Sequence, residues 1–145
     1  MLLPMKYQLP ILVGLFLLLG AGFVHAQEEN VASVALPVAL IDIAESQEGD
    51  IICFVARGFS RCSDDYAQSM YGVVTASPAA SLETDASAVA RLIVLSGESL
   101  VRVSGANGAI AEGDFITSST TPGVGQKALQ NGYILGVALG SFEDT

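Results

Sequence analysis

The chain has 145 residues, with 15 acidic against 6 basic side chains and a formal net charge of −9. Such a balance repels nucleic-acid phosphates and anionic lipid, which excludes DNA, RNA and peripheral membrane surfaces as natural partners. One histidine, two cysteines and no tryptophan leave little inventory for histidine-based or metal-based catalysis.

Lys6 stands ahead of an uncharged, mostly apolar run from Leu9 to Val24, the layout of an export signal. Val24-His25-Ala26 offers the modest side chains that a signal peptidase accepts, so residues 1–26 read as a signal helix cut before Gln27. The run is shorter than the ~20 apolar residues of a spanning helix and is interrupted by Pro10, Gly14, Gly20 and Gly22. An uncleaved membrane anchor is the alternative, and membrane association is expected only in that case. Either way the rest of the chain belongs outside the cytoplasm, secreted or in the cell envelope. Cleavage removes His25, the sole histidine, and Lys6, leaving the remainder one unit more acidic.

Residues 27–33 are polar and acidic and read as a flexible leader, residues 34–140 as one domain and 141–145 as a tail. The length suits one hydrophobic core and not two. Val34 to Ala44 is an apolar run broken only by Asp42 and closed by the turn-forming Ser46-Gln47-Glu48-Gly49-Asp50, which predicts a buried strand. Ile51-Ile52-Cys53-Phe54-Val55 and Tyr71-Gly72-Val73-Val74-Thr75 predict two more. Pro78 to Ala88 is a polar loop. Ala88 to Leu95 and Leu100 to Ser104 read as a hairpin around Ser96-Gly97-Glu98-Ser99. The fold class is therefore all-β, a compact barrel or sandwich-like domain of about seven to ten short strands.

Cys53 and Cys62 sit close in sequence in a compartment that permits oxidation, which predicts a disulfide pinning Phe54 to Arg61. Glu48-Gly49-Asp50-Ile51-Ile52 recurs as Glu112-Gly113-Asp114-Phe115-Ile116, and the same offset carries Gly72-Val73 onto Gly136-Val137. Two motifs at one offset predict two pseudo-repeats sharing a core. Gly49 and Gly113 would supply positive φ, and Asp50 and Asp114 would close their turns by accepting backbone N–H bonds. These four residues are thus assigned as structural turns before any chemistry is invoked.

Several segments together resemble the β-rich C-terminal domain of phage tail-spike-like and bacterial surface proteins: Tyr71 to Pro78, Leu95-Ser96-Gly97 with Val101-Arg102-Val103, Asn107 to Ser119, and Gly132 to Leu139. Some members of that group are self-cleaving intramolecular chaperones. The resemblance implies an extracellular assembly role and a homo-oligomer of trimer type.

Ser118 and Ser119 precede Lys127, the one lysine after the signal segment, which would be the minimum for serine-lysine self-cleavage. No strained nucleophile turn surrounds them, so no catalytic residue is assigned. Asp64, Asp65, Asp50 and Asp114 are hard oxygen donors but lack the alternate spacing of a calcium loop, so no metal or cofactor is expected. Phe54, Phe59, Tyr66, Tyr71 and Tyr133 could line a groove or pack in the core. The expected function is a non-enzymatic structural or assembly module. The alternatives are a surface domain binding a glycan, a peptide or another protein, and a self-cleaving chaperone-like tail domain.

Overall fold

The computed structural model describes residues 33–81 and 90–143. The expected signal segment, nearly all of the leader and the last two residues of the expected tail lie outside the described residues. Regular structure among the described residues consists of strands: β1 (Ser33–Ala39), β2 (Ile51–Val55), β3 (Gly58–Arg61), β4 (Met70–Thr75), β5 (Ala80–Ser81), β6 (Ala90–Gly97), β7 (Val103–Ser104), β8 (Phe115–Ser118), β9 (Gly125–Lys127) and β10 (Gly136–Val137). No helix among the described residues is long and apolar enough to cross a membrane.

The strands form a six-stranded sheet in the order β3-β2-β4-β6-β1-β5 and a four-stranded sheet in the order β10-β8-β9-β7. Neither closes into a barrel. The end of β1 reaches β3 only through an isolated parallel bridge, Leu40 with Phe59. β2 explains how the core is divided, because successive side chains of a strand leave on opposite faces. Ile52 joins Val38, Leu40, Val74 and Ile93 in one buried cluster. Ile51 and Cys53 join Cys62 and Ala67 in another. A strand buried on both faces reads in sequence as an unbroken apolar run, as Ile51 to Cys53 does. Ile51, Ile52 and Ile93 are fully buried, and each contributes about 1.5–3 kcal/mol of transfer free energy.

Several sequence expectations are corrected. The strand expected to run to Ala44 ends at Ala39, because the chain then bends over the end of β3. There the Ile41 N–H donates to Phe59 O at 2.9 Å, and Asp42 Oδ2 accepts from Arg61 N and Nε at 3.2 and 2.9 Å. The hairpin expected around Ser96 to Ser99 does not form. β6 pairs antiparallel with β1 and β4, whereas β7 crosses to the other sheet and pairs parallel with β9. Phe142, placed by sequence in the tail, bridges Ile110.

At the turn and the strand pair beside it, the two pseudo-repeats match bond for bond. Ile51 pairs with Val73 and Ile52 with Gly72. At the repeat offset, Phe115 pairs with Val137 and Ile116 with Gly136. The Gly49 N–H donates to Val74 O and the Val74 N–H to Asp50 O, both 2.9 Å, and the matching bonds Gly113 to Ala138 and Ala138 to Asp114 are both 2.8 Å. Gly49 and Gly113 have φ of 85° and 90°, the left-handed region that a Cβ disfavours. The likeness extends to the hairpins, since β2 pairs with β3 as β8 pairs with β9.

Candidate functional site

The two Gly-Asp turns hold equivalent positions in different surroundings. In the first, the Gln47 N–H donates to Asp50 Oδ2 at 2.9 Å, and Oδ1 of the fully buried carboxylate is paired with the Arg102 guanidinium. With its amide oxygen turned toward that guanidinium, Gln47 accepts from Arg102 Nη1 and Nη2 at 2.8 and 3.2 Å. The Arg102 backbone completes the junction, its N–H donating to Gly49 O at 2.9 Å and its C=O accepting from Gly125 N–H at 2.8 Å. Arg102 therefore ties the turn of the first unit to the sheet of the second. A Cβ on Gly123 would strike the Asp50 side chain, so only glycine lets that loop close over the carboxylate.

In the second turn the Ala111 N–H donates to Asp114 Oδ2 at 2.8 Å, and Lys127 Nζ pairs with the same oxygen at 2.6 Å. The Lys127 ammonium, with help from the Ala111 amide, holds the Asp114 carboxyl below its ordinary value of 3.8. The four residues expected as structural turns thus occupy those turns, and each aspartate has its own cation.

Cys53 and Cys62 form a disulfide across the β2–β3 hairpin, and both are buried. Ser118 and Lys127 are not brought together. Ser118 Oγ donates to Asp64 O at 2.7 Å and accepts from Ala67 N–H at 2.9 Å, Ser119 Oγ donates to Val124 O at 2.7 Å, and Lys127 is held by Asp114. Asp65 Oδ1 accepts from Gln126 Nε2 at 2.8 Å. These groups knit the Cys62 to Tyr66 loop onto β8 and β9, and they satisfy buried polar atoms that would otherwise cost stability.

The aromatic residues divide. Phe54, Phe59 and Tyr71 form a row across β3, β2 and β4, with ring centroids 5.2 and 4.6 Å apart. Tyr66 lies elsewhere at φ 52°, its hydroxyl accepting from Leu129 and Gln130 N–H at 2.8 and 3.2 Å. Tyr133 is held by its backbone, whose C=O accepts from Thr117 Oγ1 at 2.7 Å.

The feature that sequence reasoning missed is an apolar cleft of about 690 Å³ between the two sheets. Segments 70–73, 94–101 and 134–142 line it with Val103, Ile110 and Ile116, and Glu98 is the one charged residue of that lining among the described residues. Leu100 and Leu139 are 77% and 67% exposed there, and Leu95, Ile134 and Val137 are exposed as well. A signal was present in the sequence, since Asn131 to Ser141 contains no charge in so acidic a chain. Comparison with known proteins gives no match, whether to a family model, a curated protein or a solved structure.

Proposed function

We propose that the chain is an exported, non-catalytic structural module that assembles with copies of itself outside the cytoplasm. The observation that carries this reading is the gathering of exposed apolar side chains along one cleft. Contiguous apolar surface of that kind marks interaction sites on soluble proteins. The Cys53–Cys62 bond suits an oxidising compartment, the N-terminal segment has the export layout, and the tail-domain resemblance implies assembly. The serines that self-cleavage would use are tied into the loop network.

Native mass spectrometry of the secreted product tests the reading in one spectrum. The expected result is a fixed oligomer of intact chains beginning at Gln27. A monomer at high protein concentration would overturn it, and two fragments of a cleaved chain would favour the self-processing alternative, which Ser118→Ala with Ser119→Ala would then abolish. A second reading, binding of a glycan or extended peptide, is favoured by the exposed Phe54 and Tyr71 in the aromatic row. It predicts ligand-dependent broadening of those ring resonances in a monomer.

A further inference from the structure

We propose that Asn131 is a site of spontaneous modification, at which the Gly132 backbone nitrogen closes on the Asn131 side-chain amide and converts it, through a succinimide, to aspartate or isoaspartate. The inference stands apart from the assembly reading, because the reaction needs only this chain and water. Asn-Gly pairs are prone to it, since glycine has no Cβ to shield its nitrogen and turns freely into the geometry of attack. The described residues hold two such pairs, Asn107-Gly108 and Asn131-Gly132, and the fold treats them differently.

At the first pair both reacting groups are committed. Asn107 Nδ2 donates to Lys127 O at 2.9 Å, and the Gly108 N–H donates to Gly105 O at 2.8 Å. Attack requires the Gly108 nitrogen to give up its proton and the Asn107 carboxamide to swing onto it, so both bonds must break first. Each residue has a structural reason to be there. Gly108 has φ of 93°, which glycine tolerates, and Asn107 fastens its turn to the end of β9.

At the second pair the reacting groups are unheld. Asn131 and Gly132 are exposed, and neither the Asn131 side chain nor the Gly132 N–H has a hydrogen-bond partner among the described residues. Glycine at 132 answers to packing, because a Cβ there would sit 2.5 Å from Tyr66 Cδ1. The fold thus demands the unhindered neighbour while leaving the amide free to react.

In the reaction the Gly132 nitrogen loses its proton to solvent base and bonds to Asn131 Cγ, while the Cγ–Nδ2 bond breaks and ammonia leaves. Water then opens the succinimide. Breaking the new N–Cγ bond leaves aspartate, whereas breaking the original main-chain bond leaves isoaspartate, whose backbone runs through Cγ and is longer by a methylene. Either product puts a carboxylate into residues 128–142, a stretch without charge whose later part walls the cleft. The longer backbone falls between two anchors: Gln130, whose N–H donates to the Tyr66 hydroxyl at 3.2 Å, and Tyr133, whose C=O accepts from Thr117 Oγ1 at 2.7 Å. Isoaspartate should therefore loosen the Tyr133 end and, beyond it, the bond from Leu135 N–H to Ile116 O.

Incubating the intact secreted chain in warm, mildly alkaline buffer, then mapping its peptides and labelling isoaspartate with a methyltransferase, tests this. Conversion should be independent of protein concentration and concentrated at Asn131, with Asn107 slower by on the order of tenfold or more, because two hydrogen bonds must break before it reacts. In urea, where the fold no longer distinguishes the pairs, the two rates should converge. Asn131→Gln should remove the fast conversion, and hydrogen exchange at Leu135 should quicken in the converted wild type and not in that variant after the same incubation. Equal rates at the two asparagines of the folded chain, or Asn107 reacting first, would overturn the proposal. So would an Asn131 that survives in the folded chain and reacts only in urea, or a rate gap that persists in urea.

Discussion

The first and second Gly-Asp units share their backbone hydrogen bonds almost atom for atom, yet they differ in everything around them. Asp50 is buried under Arg102 and the Gly123 loop, Ile51 is in the core, and β4 is flanked by β6. Asp114 is half-exposed, Phe115 at the position of Ile51 is 53% exposed, and β10 ends its sheet. The turn and its strand pair are thus satisfied locally, whereas the side chains at equivalent positions answer to their neighbours. Arginine, which can bond through its head and lie along a surface with its stem, joins the two units. Lysine merely closes its own turn.

The largest effect should come from breaking the junction. Asp50→Ala strips a buried carboxylate from Arg102 and leaves the Gln47 N–H without its acceptor, a loss on the order of 3–5 kcal/mol for a buried pair. Arg102 is part-exposed, so water can solvate the abandoned guanidinium and the cost should fall at the low end. Asp114→Ala should cost a small fraction of that. Urea unfolding of the two variants side by side measures the contrast, and equal losses would mean that the junction does not distinguish the units.

Next comes the glycine pair. Gly72→Ala forces a methyl into the β6 backbone and should cost roughly 1–3 kcal/mol or more as overpacking. A Cβ at Gly136 meets nothing within 4 Å among the described residues, so Gly136→Ala should be neutral or stabilise the chain by up to about 1 kcal/mol through the unfolded state. Thermal melts at low protein concentration give the comparison. A similar loss at both positions would mean that Gly136 is packed as closely as Gly72.

The hairpins differ as well. Cys53 and Cys62 close the first, and at the matching register positions the second carries Thr117, bonded to Tyr133 O, and Ala128. Replacing both cysteines with alanine should cost about 2–3 kcal/mol by the chain-entropy model. Hydrogen exchange should then show the loss of protection concentrated in β2 and β3, with β8 and β9 less affected.

How much of this the sequence disclosed follows the range of the interactions. The strands β2, β4 and β6 were legible because β-branched residues cluster where a strand is buried, and the repeat was legible because its turns need glycine and aspartate locally. β3 and β9 were missed. Gly58-Phe59-Ser60-Arg61 and Gly125-Gln126-Lys127 are too polar to announce strands, and they exist only as second arms of hairpins. The false hairpin between β6 and β7 arose because adjacency in sequence is a good guide to pairing only within one sheet, and the chain changes sheets there. Arg102 falls in Leu100 to Ser104, a segment read from sequence as a hairpin arm. Its role as partner of Asp50 depends on a non-local meeting of the two units, which no local pattern encodes. The cleft was hidden for the same reason, since its walls come from three distant segments.

The smallest expected effect concerns acid, and it isolates the second turn from the first. Lys127 and the Ala111 amide hold the Asp114 carboxyl below 3.8 in the folded chain, so the folded state binds fewer protons there than the unfolded state does. The stability this contributes is present in full above the unfolded value and is lost as pH falls through the folded one. The Ala111 N–H donates directly to Asp114 Oδ2, so its amide shift should titrate with the carboxyl, at a midpoint below 3.8. In Lys127→Met the side-chain hydrogen bond that does most of the lowering is gone, with the smaller contribution of the charge, and the midpoint should rise toward the ordinary value. High salt should move it the same way in the native chain, because a half-exposed pair is screened. A midpoint unmoved by the lysine substitution would mean that the Ala111 amide alone sets the aspartate. Lys127 would then be a bystander, and the second turn would be closed by its backbone.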